Sequence, residues 1–228
     1  MKRILIIILI VHLTGILFAE DIIESICSNF EAIQNFQITA ETKIINSIAN
    51  NKSERTTKTI YYVSGDNKLR VDKILPIPST KVAYINNKFY LEQNGKVIIQ
   101  DMPKPLNKDL YYPEPIILFE LRKFLNSFIL KNNSDNVYVF FPKNSKSDYP
   151  QVHLKIDNGL LNGIDFYDNN GNLYQKIIML NYIEENKIKF PTKVTIEIIT
   201  KKNILKKEIN YTNIEINRGI KDDIFILQ

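Results

Sequence analysis

FQITAETKI, residues 36–44, alternates with a period of two. Phe36, Ile38, Ala40, Thr42 and Ile44 fall on one face, and Gln37, Thr39, Glu41 and Lys43 on the other. Strict alternation is the mark of a half-buried β-strand, since successive side chains of an extended chain point to opposite sides. Just before it, EDIIESICSNFEAIQN (20–35) has a different period. Ile22, Ile26, Phe30 and Ile33 recur at helical spacing and acids fill the first turn, which predicts a helix running into the strand.

The period of two persists downstream. TTKTIYYV ends at SGDN (64–67), and KLRVDKIL follows. VAYIN and KFYLE flank Asn86-Asn87, and GKVIIQD follows Asn94-Gly95. Turns this tight between apolar runs predict antiparallel hairpins in a meander. A Pro-rich passage (103–115) then excludes a central strand. After Pro115, IILFELRKFLNSFIL predicts a second helix reaching about Leu130, apolar over more than one stripe. The remaining segments, from NVYVFFP to NILKKEINYTNIEIN, read as strands joined by DNG, DNNG, EEN and KKN.

These features predict one α+β domain over residues 20–228. A sheet this long twists and curls. Two apolar helices over its concave side make an incomplete, half-open β-barrel.

Residues 1–19 are set apart. Lys2 and Arg3 precede an apolar run, Ile4 to Phe18, and Ala19 offers a small residue before a cut. This is the order of a secretory signal peptide, and the run is shorter than the roughly 20 residues of a spanning helix. Cys27 is the single cysteine, so no internal disulfide forms. Glu24-Ser25-Ile26 precede it, where lipidation requires small apolar residues beside the leader, so an unacylated, released chain is expected. The net charge of +5 includes two charges lost with the leader, too mild a balance for nucleic acid.

Chemistry-bearing groups are few. Outside the leader His153 is the single histidine, and with Cys27 it forms no zinc-type cluster. A Cys27–His153 dyad is the remaining hydrolase reading. IDFYDNNGN (164–172) fails the calcium-loop spacing because Phe166 stands five before Gly171, and it reads as a hairpin turn. KKNILKKE (201–208) reads as a solvated hairpin, or as a patch facing acidic headgroups or an acidic partner. No cofactor or metal is expected.

The order of segments resembles the outer-membrane lipoprotein carrier family, the LolA-like proteins. It is carried by Asn35, Phe36, Ile38, Ala40 and Thr42, by YYVSGDNKLRVD (61–72), and by IDFYDNNGNLYQKI (164–177). KFPTKVTIEI (189–198) and the closing pattern Asn217, Gly219, Asp223, Phe225 complete it. The resemblance implies a periplasmic monomer that takes acylated lipoproteins from an inner-membrane transporter to an outer-membrane acceptor, with no chemical step. It extends to periplasmic sensors of mislocalised lipoproteins and to lipidated receptors, and the unlipidated N-terminus argues against the latter. The family's Arg-Pro pair before the third strand is missing: Asp66-Asn67 stands there, and Arg70 lies inside the strand without an assigned role.

The expected lipid cavity takes Phe36, Ile38, Tyr62, Leu69, Val71, Phe89 and Leu91 from the strands, and Leu121, Phe124 and Phe128 from the Pro115–Leu130 helix acting as a lid. Tyr61 and Val63 form an equally apolar face opposite Tyr62, so alternation alone leaves the inward side of that strand open.

Overall fold

The computed structural model describes residues 19–48, 51–65, 68–76, 78–101, 112–144, 147, 149–201 and 203–227. The leader through Phe18 and most of the Pro-rich passage lie outside the described residues.

Thirteen strands form one sheet. The first six are β1 (Asn35–Ile48), β2 (Asn51–Ser64), β3 (Lys68–Leu75), β4 (Thr80–Ile85), β5 (Lys88–Gln93) and β6 (Lys96–Asp101). The others are β7 (Phe128–Ser134), β8 (Val137–Pro142), β9 (Gln151–Asp157), β10 (Leu160–Tyr167), β11 (Leu173–Glu185), β12 (Ile188–Ile199) and β13 (Asn203–Ile216). Their spatial order is β6-β5-β4-β3-β2-β1-β13-β12-β11-β10-β9-β8-β7. Two antiparallel meanders are thus joined where β1 pairs β13. The edges β6 and β7 do not pair with each other, so the barrel stays open, and the connection between them carries the chain from one edge to the other.

The turns follow from local chemistry. Asn86-Asn87, Asn94-Gly95, Asp135-Asn136, Asn158-Gly159 and Asn186-Lys187 all have positive φ at both positions. That is the type I′ geometry whose twist matches the strands it joins. Register shifts interrupt β1 at Gln37/Thr39 and β10 at Leu161/Gly163 and Phe166/Tyr167. Such bulges bend a strand and strengthen its twist. At Gly163 a Cβ would stand 3.0 Å from the carbonyl oxygen of Ile177, so only glycine lets β11 approach there without a shift.

Helix α1 covers residues 19–31, shorter than the predicted 20–35. Asn217 accounts for its end. Its Oδ1 accepts the N–H groups of Gln34 (2.8 Å) and Asn35 (3.1 Å), and its Nδ2 donates to the Ala32 carbonyl (2.7 Å). The chain is held extended there and feeds straight into β1. Each such bond contributes roughly 0.5–1.5 kcal/mol net. Asn217→Ala is therefore expected to lower stability by about 2 kcal/mol, read as the midpoint of urea unfolding. An unchanged midpoint would remove this residue from the account of the helix end.

The predicted Pro115–Leu130 helix is corrected. Ile116–Glu120 forms a 3-10 turn, Leu121–Leu125 a single α-turn, α2, and the chain re-enters the sheet at Phe128. Phe128 is buried, Ile129 exposed and Leu130 half-buried, an alternation that pairs with Phe140–Pro142 of β8. A continuous apolar run carries no period of its own, so sheet pairing decided it.

The main core lies on the concave face. It joins Ile26, Cys27 and Phe30 of α1 to Phe36, Ile38, Val152, Leu154, Ile164, Ile177, Met179, Phe190 and Val194 of the sheet. A second, separate group of buried residues, Ala83, Ile85, Phe225 and Leu227, sits on the convex face. There the C-terminal 3-10 turn, Asp222–Phe225, packs against β3 and β4.

Candidate functional site

Register places one side chain in two along each strand on the concave face. From Phe36, Ile38 and Ala40 the pairing runs to Val63, Tyr61 and Thr59 on β2, then to Leu69 and Val71 on β3. It continues to Tyr84 and Val82 on β4 and to Phe89 and Leu91 on β5. Nine of the ten residues expected in the cavity therefore share the concave side of the molecule or its cover. Phe36, Ile38, Leu69, Val71, Leu121 and Phe128 are buried in the core; Phe89, Leu91 and Phe124 are half-buried. Tyr62 is on the other face, with the Arg70 guanidinium 5.6 Å from its ring centre, and Tyr61 takes the inward position.

The cover is the segment from Tyr112 through α2. Phe119 stacks on Phe36 with ring centres 5.2 Å apart, and Tyr112 meets both edge-on, at 6.0 Å from Phe36 and 5.5 Å from Phe119. Phe190 lies 6.4 Å from Phe119 and 5.5 Å from Tyr211. These rings tie the cover to β1, β12 and β13. Further along, Phe124 lies 4.8 Å from Phe128 and 5.9 Å from Phe166. Arg122 fastens α2 to α1: it donates to Glu24 (2.6 Å), Glu31 (2.6 Å) and Ser28 (3.2 Å). The hydrogen bond from Arg122 holds the Glu24 carboxyl below its usual range, and the two carboxylates raise the guanidinium.

The cover does not fill the trough. A cavity of about 560 Å³ remains between α1, the β1–β2 end and the cover, lined by Phe30, Ile33, Phe36, Val63, Tyr112, Ile116 and Phe119, with Glu31 and Glu120 among its polar members. A second, of about 320 Å³, lies under Tyr112 and Glu114 along β1, β2 and β13. A third, of about 330 Å³, is lined by Phe124, Phe128 and Tyr149. Ligand pockets run from about 300 to 1,000 Å³. Tyr112, Ile116 and Phe119 escaped the sequence reading. Tyr112 lies within the Pro-rich passage, which carries no period, and Ile116 and Phe119 are off the one stripe an α-helix would turn inward.

Arg70 holds the C-terminal tail. Its guanidinium donates to both carboxylate oxygens of Asp72 (2.8 Å each) and to the Ile224 carbonyl (2.6 Å). This lies on the convex face, away from the cover.

The hydrolase groups are kept apart. Cys27 is buried on α1 in the concave core, and burial pushes its thiol up to about 11. His153 sits on the opposite face of β9 from Val152 and Leu154, 4.6 Å from the Tyr167 ring, with Gln151 Nε2 2.6 Å from its Nε2. Burial lowers its pKa, with Asp165 opposing. Because the sheet separates them, His153 does not serve Cys27 as a base, and with the thiol at about 11 its thiolate fraction at pH 8 is about a thousandth. Iodoacetamide is expected to leave Cys27 unmodified at pH 8 until the protein is unfolded, as read by mass spectrometry; native alkylation within minutes would overturn this.

In the 164–172 turn, Asp168 Oδ1 accepts the N–H groups of Asn170 and Asn172 (2.8 Å each) and Oδ2 accepts Asn172 Nδ2 (3.2 Å). Its oxygens serve the turn, and these bonds, those from Asn172 foremost, lower its pKa. No group of three or more His, Cys, Asp or Glu able to hold a metal occurs among the described residues, and no helix among them is long and apolar enough to cross a membrane.

A curled, unclosed antiparallel sheet with a short helical cover over an apolar concave face is the LolA-like architecture, the fold implied by the sequence resemblance. No family model matches the chain, and no curated protein matches its sequence. The likeness is in structure. The chain is similar to the LolA superfamily protein NE2245 from Nitrosomonas europaea, at 15% identity and a TM-score of 0.52, over 90% of this chain and 97% of that one. It is similar to a DUF1329 family protein from Desulfovibrio piger, at 14% identity and a TM-score of 0.53, over 91% and 96%.

Proposed function

We propose that this protein is an exported periplasmic carrier that shields acyl chains of lipoproteins in its concave trough, receives them from an inner-membrane transporter and yields them to an outer-membrane acceptor. The observation that carries the reading is the incompletely filled apolar trough: an aromatic cover rests on Phe36 and Phe190 yet leaves about 560 Å³ open beside Phe30, Val63 and Phe119. An acyl chain in water costs about 0.8 kcal/mol per CH₂. A concave, covered surface hides that area without offering an exterior patch for aggregation. The edge and stacking contacts of Tyr112 and Phe119 make a roof that opens while α2 stays anchored in the core through Leu121 and Leu125. The same cavity residues support the role proposed for Phe36, Phe124 and Phe128, joined by Tyr112, Ile116 and Phe119. No cofactor or catalytic step belongs to this proposal.

The test is binding of a synthetic triacylated lipopeptide by the purified protein, followed by its transfer to vesicles. Saturable binding and transfer support the carrier. Absence of binding to the lipopeptide and to its diacylated form would end the proposal. The sensor reading is separated by deletion: loss of a carrier strands lipoproteins in the inner membrane, whereas loss of a sensor leaves their sorting intact.

A further inference from the structure

The second cavity differs in kind from the first. Thr42 and Ile44 of β1, Arg55, Thr57 and Thr59 of β2, Lys73 of β3 and Lys207 of β13 share the concave face and line it. Arg55 and Lys207 both oppose Ile44, one strand to either side, so their backbones stand about 10 Å apart across the trough. Glu114 is the one acid among its described lining residues. It reaches down from the cover and accepts both its bonds from Lys207, at 2.6 and 2.7 Å. Arg55 and Lys73 have no ion pair among the described residues, whereas on the convex face Lys43 pairs with Glu54, Lys206 with Glu208 and Lys155 with Asp165. Unpaired cations inside a concave, Thr-lined recess are the chemistry of an anion site.

Tyr112 lines both cavities, so the two adjoin at this residue. The first is lined by Phe30, Phe36, Val63 and Phe119 with the acids Glu31 and Glu120; the second by Arg55, Lys73 and Lys207. This polarity orients an amphiphile. Resting on the acyl-carrier reading, we infer that the trough binds a lipid with an anionic phosphate headgroup, its chain beside Phe36 and Phe119 and its head between Arg55, Lys73 and Lys207. The Glu114 carboxylate takes both its bonds from Lys207, and the incoming head displaces it. Because Tyr211 donates its hydroxyl to the Glu114 carbonyl, the displaced residue belongs to the segment that roofs the site, which links head binding to loosening of the cover.

The experiment is calorimetric titration of the purified protein with lysophosphatidylglycerol, lysophosphatidylcholine and a monoacylglycerol of the same chain, and with inorganic phosphate. The anionic lipid is expected to bind about tenfold more tightly than the other two. Arg55→Gln combined with Lys73→Gln, both exposed positions, is expected to abolish that preference while leaving monoacylglycerol affinity and melting temperature unchanged. Glu114→Gln acts in the opposite direction: by freeing Lys207 it strengthens anionic binding about threefold or more. Equal affinities in the wild type, or a preference that survives the double variant, would overturn the assignment. Inorganic phosphate binding as tightly as the lipid would overturn it in favour of a free anion. Failure of all three lipids to bind overturns the carrier reading as well, whereas neutral binding without anionic preference overturns this inference alone.

Discussion

Leu121→Glu is expected to unfold the protein, while Phe119→Glu, two residues away, leaves it folded and unable to hold an acyl chain. Leu121 is 2% exposed and packs into the main core, so the new carboxylate has neither water nor a partner. Burying an uncompensated charge costs about 3–5 kcal/mol, comparable to the whole stability of many domains. Phe119 is half-buried on the cavity wall, where a carboxylate reaches water at the expense of its stacking on Phe36. Melting temperature and lipopeptide affinity measured on both variants separate the two roles. A Leu121→Glu protein melting near the wild type would show that the cover floats free of the core. Phe119→Glu binding lipopeptide normally would move the acyl site away from this cavity. The sequence had grouped Leu121 with Phe124 as lid residues resting on a cavity; the core contacts of Leu121 make it an anchor instead.

Phe225→Ala is the second large effect, at about 3–5 kcal/mol, because truncating a fully buried aromatic leaves a cavity that rigid surroundings do not close. Phe225 is 0% exposed, on the 3-10 turn that packs against β3 and β4 on the side of the sheet away from the concave trough. The variant is expected to lose stability, measured by urea unfolding, while folded molecules at low temperature retain lipopeptide affinity. A loss below about 1 kcal/mol would mean that the tail is an appendage and not part of the fold. Gly219, at φ +77°, turns the chain toward this site, and its N–H donates to Asn35 Oδ1 (3.0 Å). The spacing Asn217, Gly219, Asp223, Phe225 thus has a mechanical meaning. Asn217 ties off α1, Gly219 makes the turn, and Phe225 seats the tail, with the Ile224 carbonyl taken by Arg70.

Most of the sheet was legible because its determinants are local. Alternation in FQITAETKI sets a strand and assigns its two faces, and the Asn-Asn and Asn-Gly pairs set type I′ turns, so most of the hairpins follow from neighbours in the chain. The cation-lined recess was half legible. KKNILKKE was seen as basic, but β13 sends Lys206 to Glu208 on one face and Lys207 to Glu114 on the other, and only the register of β1 against β2 and β13 brings Arg55 to the same trough.

By itself the sequence determined where most of the strands lie, which turns join them, and that many carry one apolar face, since these depend on neighbours a few residues apart. It left open which face of TIYYV looks inward, because Tyr61 and Tyr62 are equally apolar. It ran FLNSFIL on as a helix to about Leu130, and wrongly, because an unbroken apolar run satisfies either period. The tertiary structure decided both through pairing partners distant in the chain: Ile38 opposite Tyr61 turned that ring inward, and Phe140 and Phe141 opposite Leu130 and Ile129 drew the run into the sheet. Backbone hydrogen bonds and burial supplied from afar outweigh local propensities of well under 1 kcal/mol per residue, and they act only once the sheet exists.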